Sequence, residues 1–415
     1  MSLYKSIQRH IFISMLVTLF LSTSGCNISL MPKATDEDKP AATPLPENPD
    51  GPIGHEGIPS PMPIISLNVP AYYNTTGDTV KHEANDADYS TLTFISGDYP
   101  RSITYDLSQV PDAQRKDILV NIMGSGFQSV DLGANPQVPT YQLATMAEYR
   151  LEGNAAPGST PPPETGWQTL LNVKDNYWES RQHLVINFAG NNWFRLTIVN
   201  GDGSTTKINL DIHDAGNGAE DSWLFMGDSI TANCFPQKGY SISGSGQMNN
   251  FAGLVHEKMP AYFPPYINAG KGYARAGLGA TSIAEALKVF PGRYVALNYG
   301  TNNLGYSLTQ ESLELFYSQY ETMVKETVAA GKVPVIPKIM YNESEEKVLA
   351  LEAKLSELKV DYPQIIEGPD LYSFFKDHYD LMDNDNIHPN RVTGEQEYIG
   401  LWADAMLKTV YGYSQ

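Results

Sequence analysis

Trp223-Leu224-Phe225-Met226-Gly227-Asp228-Ser229-Ile230-Thr231 is the stretch on which the reading of this chain turns. Four apolar residues form a short run of the kind that makes a buried strand, and Gly227-Asp228-Ser229 closes it without a spacer. Downstream, strand and helix periods alternate. Tyr266-Ile267-Asn268, Tyr294 to Tyr299, Val333 to Ile339 and Ile365-Ile366 read as strands. Met248 to Lys258, Ser282 to Val289 and Glu345 to Lys359 read as helices. Ser307 with Gln310 predicts a capping box for a helix reaching Ala330, and Thr393 with Gln396 predicts the cap of a closing helix. Such alternation predicts an α/β fold with a mostly parallel central sheet between two helical layers, over residues 221–412. Pro334 and Pro337 place the Val333 run near an edge of that sheet. Ligands of open α/β sheets bind outside the carboxyl ends of the strands, and Ser229 stands at such an end. The plain alternative is a helix N-cap serine without chemistry.

The rest of the domain supplies what a serine nucleophile lacks. Asp385-Asn386-Ile387-His388-Pro389-Asn390 puts a carboxylate and an imidazole three residues apart on one turn. A hydroxyl is a poor nucleophile until a neutral imidazole takes its proton, and a carboxylate fixes the tautomer of that imidazole and stabilises the imidazolium. Gly300-Thr301-Asn302-Asn303 ends the Tyr294 strand, where the Asn302 amide can donate to an oxyanion. The glycine-rich connection from Asn268 to Thr281 offers backbone N–H groups for the same purpose; its Lys271 is not in P-loop spacing.

Taken together and in this order, the four blocks resemble those of the SGNH, or GDSL-type, serine hydrolase superfamily. The resemblance implies Ser229 as nucleophile and first oxyanion donor, Asn302 as side-chain donor, His388 as base and then acid, and Asp385 as its orienting partner. It leaves two candidates for the glycine of the second block. Gly279 fits the approach to Thr281 and is preferred, with Lys271 to Gly277 as an insertion; Gly270 fits the distance from Asn268. Ile230 stands where a leucine is commoner, and Asn303 replaces the aspartate that usually follows the third-block asparagine. The resemblance implies no cofactor, and the remaining histidines show no metal-ligand spacing.

Working toward the amino terminus, residues 64–215 change to short period-two runs separated by turn residues, among them Ile118-Leu119-Val120-Asn121-Ile122 and Lys207-Ile208-Asn209-Leu210-Asp211-Ile212. These predict an all-β sandwich without a helix of useful length, similar in a general way to the jelly-roll, galactose-binding-like domains of extracellular carbohydrate enzymes. Trp167, Tyr177, Trp178 and Trp193 suit a sugar-binding face or, as the favoured reading, a core. Residues 26–63 are rich in Pro, Asp, Glu and Thr without a hydrophobic period, and read as a flexible linker. Residues 1–25 carry Lys5 and Arg9 before an apolar run, then Ser22-Thr23-Ser24-Gly25-Cys26, which resembles a lipoprotein signal peptide with Cys26 as the lipidated residue. That implies a chain exported to the bacterial envelope and anchored to a membrane, with Asn27 favouring the outer one.

The 415 residues carry a formal charge of −19, and the first 25 hold two basic and no acidic side chains, so the acidity belongs to the exported part. Such a chain is repelled by phosphate backbones, which sets nucleic-acid partners aside. The second cysteine, Cys234, is expected to be a buried small hydrophobe rather than a reactive thiol beside the nucleophile. The sequence thus predicts a serine ester hydrolase acting through an acyl-enzyme, removing short acyl groups such as acetyl from carbohydrate or other small esters. A lipase, lysophospholipase or acyltransferase would use the same residues, and a non-catalytic carbohydrate-binding lipoprotein is the alternative of a different class.

Overall fold

The computed structural model describes residues 57–74, 84–89, 92–124, 130–131, 137–139, 144–158, 161–235, 250–305 and 307–414. The signal region, Cys26 and most of the linker lie outside them. The linker's last residues do not behave as a tether. Met62 is buried, its carbonyl faces His213 Nδ1 at 3.1 Å, and the Pro59 carbonyl accepts from the Tyr262 hydroxyl at 3.1 Å.

The first domain contains β1 (Ala71–Tyr73), β2 (Thr93–Ile95), β3 (Arg101–Asp106), β4 (Ile118–Gly124), β5 (Val130–Asp131), β6 (Val138–Pro139), β7 (Glu148–Asn154), β8 (Gln168–Val173), β9 (Arg181–Val185), β10 (Trp193–Asn200) and β11 (Thr206–Asp214). Antiparallel pairing gives one sheet in the order β1-β3-β10-β7-β8 and a second in the order β2-β11-β4-β9. Ile103, Tyr105, Leu151, Phe194 and Leu196 of the first sheet meet Ile118, Val120, Ile122, Leu210 and Ile212 of the second in one core, so the domain is a sandwich. β5 and β6 form a separate two-stranded ribbon.

In the second sheet, β4 and most of β11 are buried on both faces. Asn121 and Met123 of β4 and Asn209, Asp211 and His213 of β11 alternate with the core residues, yet they too are shut off from solvent. Met123 packs with Tyr266 and Phe263 of the following domain, and Gln182 connects Asn121 (3.0 Å) to the Ser222 hydroxyl (2.7 Å). Alternation that reads as a wet face is therefore a polar interface between domains. Trp193 and Trp178 are also buried, as their packing reading expects, while Trp167 lies half-buried beneath the Arg195 guanidinium.

The second domain is the expected parallel sheet. Its strands are β12 (Trp223–Gly227), β13 (Tyr266–Gly270), β14 (Tyr294–Asn298), β15 (Val333–Lys338) and β16 (Ile366–Asp370), ordered β13-β12-β14-β15-β16. The helices are α1 (Ser229–Cys234), α2 (Phe251–Lys258), α3 (Ala276–Lys288), α4 (Gln310–Ala329), α5 (Glu345–Asp361), α6 (Leu371–Asp377) and α7 (Gly394–Thr409). Because side chains alternate along a strand, Trp223 and Phe225 face α1, α2 and α7, whereas Leu224 and Met226 face α3, α4 and α5. This is the three-layer arrangement.

Two capping expectations are corrected. The box on α4 is Thr309 with Ser312, two residues beyond Ser307, because those side chains exchange bonds with each other's backbone N–H. Thr393 makes no side-chain cap on α7; instead Asn390 Oδ1 accepts from the N–H groups of Val392, Thr393 and Gly394. β15 lies one strand in from the edge, and Pro337 falls where its register with β16 shifts, so the missing N–H costs no regular ladder bond.

Candidate active site

β12 delivers its carboxyl end between those of β13 and β14, with Gly227 opposite Gly270 and Asn298. Helix α1 starts two residues later, and its cap is Asp228, whose Oδ1 accepts the Ile230 N–H at 3.0 Å. The cap position being filled, Ser229 is the first residue of the helix. Its N–H has no intrahelical acceptor and its hydroxyl is free to turn outward. Burial pushes the Asp228 carboxyl up to about 7, against the pull of the Ile230 N–H, the His388 charge and the Thr301 hydroxyl. Asn268 on β13 steadies the other end of α1, donating to the carbonyls of Phe235 (2.7 Å) and Ala232 (3.3 Å).

The Ser229 hydroxyl lies 2.7 Å from His388 Nε2, and His388 Nδ1 lies 2.6 Å from Asp385 Oδ2. One neutral tautomer satisfies both contacts, with Nδ1–H donating to the carboxylate and Nε2 accepting from the hydroxyl. Burial alone would raise the pKa of Asp385, but the bonds it accepts from the His388 ring and from the backbone N–H groups of His388 and Ile387 outweigh it and hold the carboxyl below its ordinary range. The loop closes on itself through Asp383 N–H to the His388 carbonyl at 2.7 Å and Asn390 N–H to the Leu381 carbonyl at 2.7 Å. Ser229, His388 and Asp385 are thus brought together across 159 residues.

Asn302 lies in the turn after β14, one of its amide hydrogens given to the Ala274 carbonyl at 2.9 Å and the other left over. Asn303 keeps the acceptor role that an aspartate would have, its Oδ1 receiving the Ala276 N–H at 3.3 Å.

Gly279 is not at a strand end. It lies inside α3, where a Cβ would come 2.3 Å from Met323 Sδ and 2.7 Å from the Tyr299 ring, so its missing side chain serves helix packing and its amide belongs to the helix. Gly270 does sit at the carboxyl end of β13, but its N–H is taken by Asn268 Oδ1 at 2.8 Å. Accounting for the intervening backbone finds what both glycines lack. Lys271 N–H bonds the Gly227 carbonyl, Ala274 N–H the Lys271 carbonyl, Arg275 N–H the Gln137 side chain and Ala276 N–H the Asn303 side chain. Among the described residues from Gly270 to Ala276, only the amides of Gly272 and Tyr273 have no recorded acceptor. Tyr273 occupies a left-handed conformation at φ 62°, unusual for a bulky residue. Tyr273 thus takes a conformation that a glycine would adopt without strain.

Cys234 is buried at the end of α1, its thiol pushed up by burial and by the Glu395 and Asp228 charges. Among the described residues no cluster of His, Cys, Asp and Glu is arranged to hold a metal ion.

No family model matches the chain, and no curated protein matches it in sequence. Similar solved structures include the esterase EstA of Pseudoalteromonas sp. (18% identity, 46% of this chain and 98% of that one, TM-score 0.35). A lipase/acylhydrolase from Enterococcus faecalis is similar at 18% identity over 45% of this chain and 94% of that one, TM-score 0.36. An acetylxylan esterase from Geobacillus stearothermophilus is similar at 18% identity over 46% and 94%, TM-score 0.37. The solved structures that this chain resembles include these esterases and acylhydrolases and a member of the lipolytic protein G-D-S-L family from Veillonella parvula, matched over a little under half its length.

Proposed function

We propose that the chain is a serine ester hydrolase working through an acyl-enzyme. The observation that carries this is the unbroken hydrogen-bonded series Ser229–His388–Asp385, at 2.7 and 2.6 Å, at the carboxyl end of β12. His388 Nε2 takes the hydroxyl proton as Ser229 Oγ attacks the ester carbonyl, and Asp385 stabilises the imidazolium so formed. The negative charge on the carbonyl oxygen is met by the N–H of Ser229, the spare amide hydrogen of Asn302 and the free N–H groups at Gly272 and Tyr273. His388 then protonates the departing alkoxide. Water, deprotonated by the same nitrogen, attacks the acyl carbon, and the acid leaves as Ser229 recovers its proton.

The substrate we propose is a short acyl ester, such as acetyl, on a carbohydrate. The His388 and Asp385 side chains are 27% and 46% exposed, so the triad opens at the surface, where a large polar alcohol portion can lie without being enclosed. The chain's −19 charge disfavours polyanionic substrates. The purified full chain is expected to hydrolyse p-nitrophenyl acetate and to release acetate from acetylated xylan, with Ser229→Ala losing about 10³-fold or more in kcat/KM. Equal rates for the two proteins would overturn the hydrolase reading. Rates that rise from acetyl to palmitoyl esters would replace the short-acyl substrate with a lipid.

We propose further that the enzyme is exported to the bacterial envelope and held at a membrane by a lipid on Cys26. Detergent-phase partitioning that is identical for wild type and Cys26→Ala would refute the anchor.

A further inference from the structure

A buried side chain of the all-β domain, that of Gln137, bonds the turn beside the proposed site. Gln137 stands at the start of the β5–β6 ribbon's second strand and is 4% exposed. Its Nε2 donates to the Tyr273 carbonyl at 3.1 Å and its Oε1 accepts the Arg275 N–H at 3.0 Å. Its own carbonyl accepts the Thr281 hydroxyl at 2.9 Å, which fastens it to α3. The Gln137 amide therefore brackets Ala274, whose carbonyl accepts from the Asn302 amide at 2.9 Å. Two side chains, one from each domain, bond three successive residues, Tyr273 to Arg275, the first of which carries one of the two free amides. The turn they fix needs such support. Lys271 to Ala274 closes through an N–H to carbonyl bond of 3.1 Å with Tyr273 at φ 62°, a conformation that persists for a bulky residue only where its surroundings impose it. Nothing within the turn's own sequence favours it, since Gly272 rather than residue 273 carries the flexible backbone.

We propose that Gln137 is a positioning residue of the hydrolase site, by which the all-β domain holds the Gly272–Tyr273 turn in the conformation that presents its amides to the reacting carbonyl. This rests on the ester-hydrolase reading. It gives the all-β domain a part in catalysis that does not require it to bind glycan, in keeping with the burial of β4 and most of β11 on both faces.

The test compares the full chain with Gln137→Met, which keeps the length and loses both amide bonds, Gln137→Glu, which keeps the acceptor for Arg275 and loses the donor to Tyr273, and Gln182→Met. Gln182 makes the equivalent domain-bridging bonds near Ser222, at the amino end of β12, far along the sheet from Ser229. With p-nitrophenyl acetate, Gln137→Met is expected to lower kcat about tenfold or more with KM within about twofold, because the loss falls on a transition-state contact. Labelling of Ser229 by a fluorophosphonate, in which Oγ displaces fluoride from phosphorus, should slow in parallel. Gln182→Met should lower the melting temperature and leave kcat within twofold. Gln137→Glu should be slow at pH 8 and recover toward wild type as pH falls, since a protonated carboxyl again donates to Tyr273; a purely structural contact would not link rate to pH in this way. If Gln137→Met fails to fold, the pH profile of Gln137→Glu decides. Wild-type rates for both Gln137 variants, beside a wild type that is active, would overturn the positioning role alone. A wild type inert to both reagents would overturn the hydrolase reading and the positioning role with it.

Discussion

The Asp385 carboxylate holds His388 twice, Oδ2 accepting from the ring Nδ1 at 2.6 Å and Oδ1 from the backbone N–H of the same residue at 3.0 Å. A single three-residue turn thus sets both the tautomer and the position of the base. In Asp385→Asn the amide can preserve the backbone contact while favouring the wrong ring tautomer. We expect kcat for p-nitrophenyl acetate to fall by about 10³ to 10⁴, with the melting temperature little changed because the group lies near the surface. A fall of less than tenfold would show that Asp385 does not orient His388.

Gly279 separates packing from chemistry. A methyl group there would press on Met323 and Tyr299 at 2.3 and 2.7 Å, and both are side chains that must give way. Overpacking of this kind costs about 1–3 kcal/mol, against roughly 1 kcal/mol gained from replacing a helical glycine. Gly279→Ala is therefore expected to lower the melting temperature modestly and to leave kcat unchanged. Gly270→Ala is different, since its Cβ would meet the Ala232 backbone nitrogen at 2.3 Å and displace the helix that carries Ser229. Circular-dichroism melts and initial rates on the two variants distinguish these outcomes, and a large kcat loss confined to Gly279→Ala would restore it to the oxyanion site.

Cys234 is expected to be silent. Its thiol is buried and raised in pKa, so iodoacetamide should neither modify Cys234 in the native protein nor reduce its activity, and should modify Cys234 readily in urea, as read by peptide mass mapping. Inactivation of the native enzyme at a rate matching modification of Cys234 would contradict this.

The parallel sheet and the meeting of Ser229, His388 and Asp385 were legible because each rests on local signals: alternation of period, a motif at a strand's end, an aspartate and a histidine on one turn. The turn at Gly272–Tyr273 was not, because the expected marker was glycine, whereas Tyr273 takes the left-handed conformation and its carbonyl is bonded by Gln137, a residue 136 positions away. Nothing within the turn records that support. The same holds for the sandwich. Asn121, Asn209, Asp211 and His213 alternate with the core residues of their strands, and only the packing of the second domain shows that they too are buried. Asn390, although inside the histidine motif, acts on α7 through a side-chain cap four residues ahead, which the Thr393 signal obscured.

Asp211 makes that interface sensitive to pH. It is fully buried beside Tyr89, and desolvation pushes its carboxyl up to about 8, against the Tyr89 hydroxyl and with the help of the Asp86 charge. Unfolded, the same group titrates near 3.9. Between about 4 and about 8 the folded chain therefore binds the proton that the unfolded chain has released, and this contribution to stability falls as pH rises through that window. Asp211→Asn, which cannot ionise, should escape the loss. We expect its melting temperature to exceed that of wild type by several degrees at pH 8.5 and the difference to shrink or reverse at pH 4.5. A difference independent of pH would mean that Asp211 is not the titrating group, and a variant less stable at every pH would mean that its carboxylate is a needed partner in the interface.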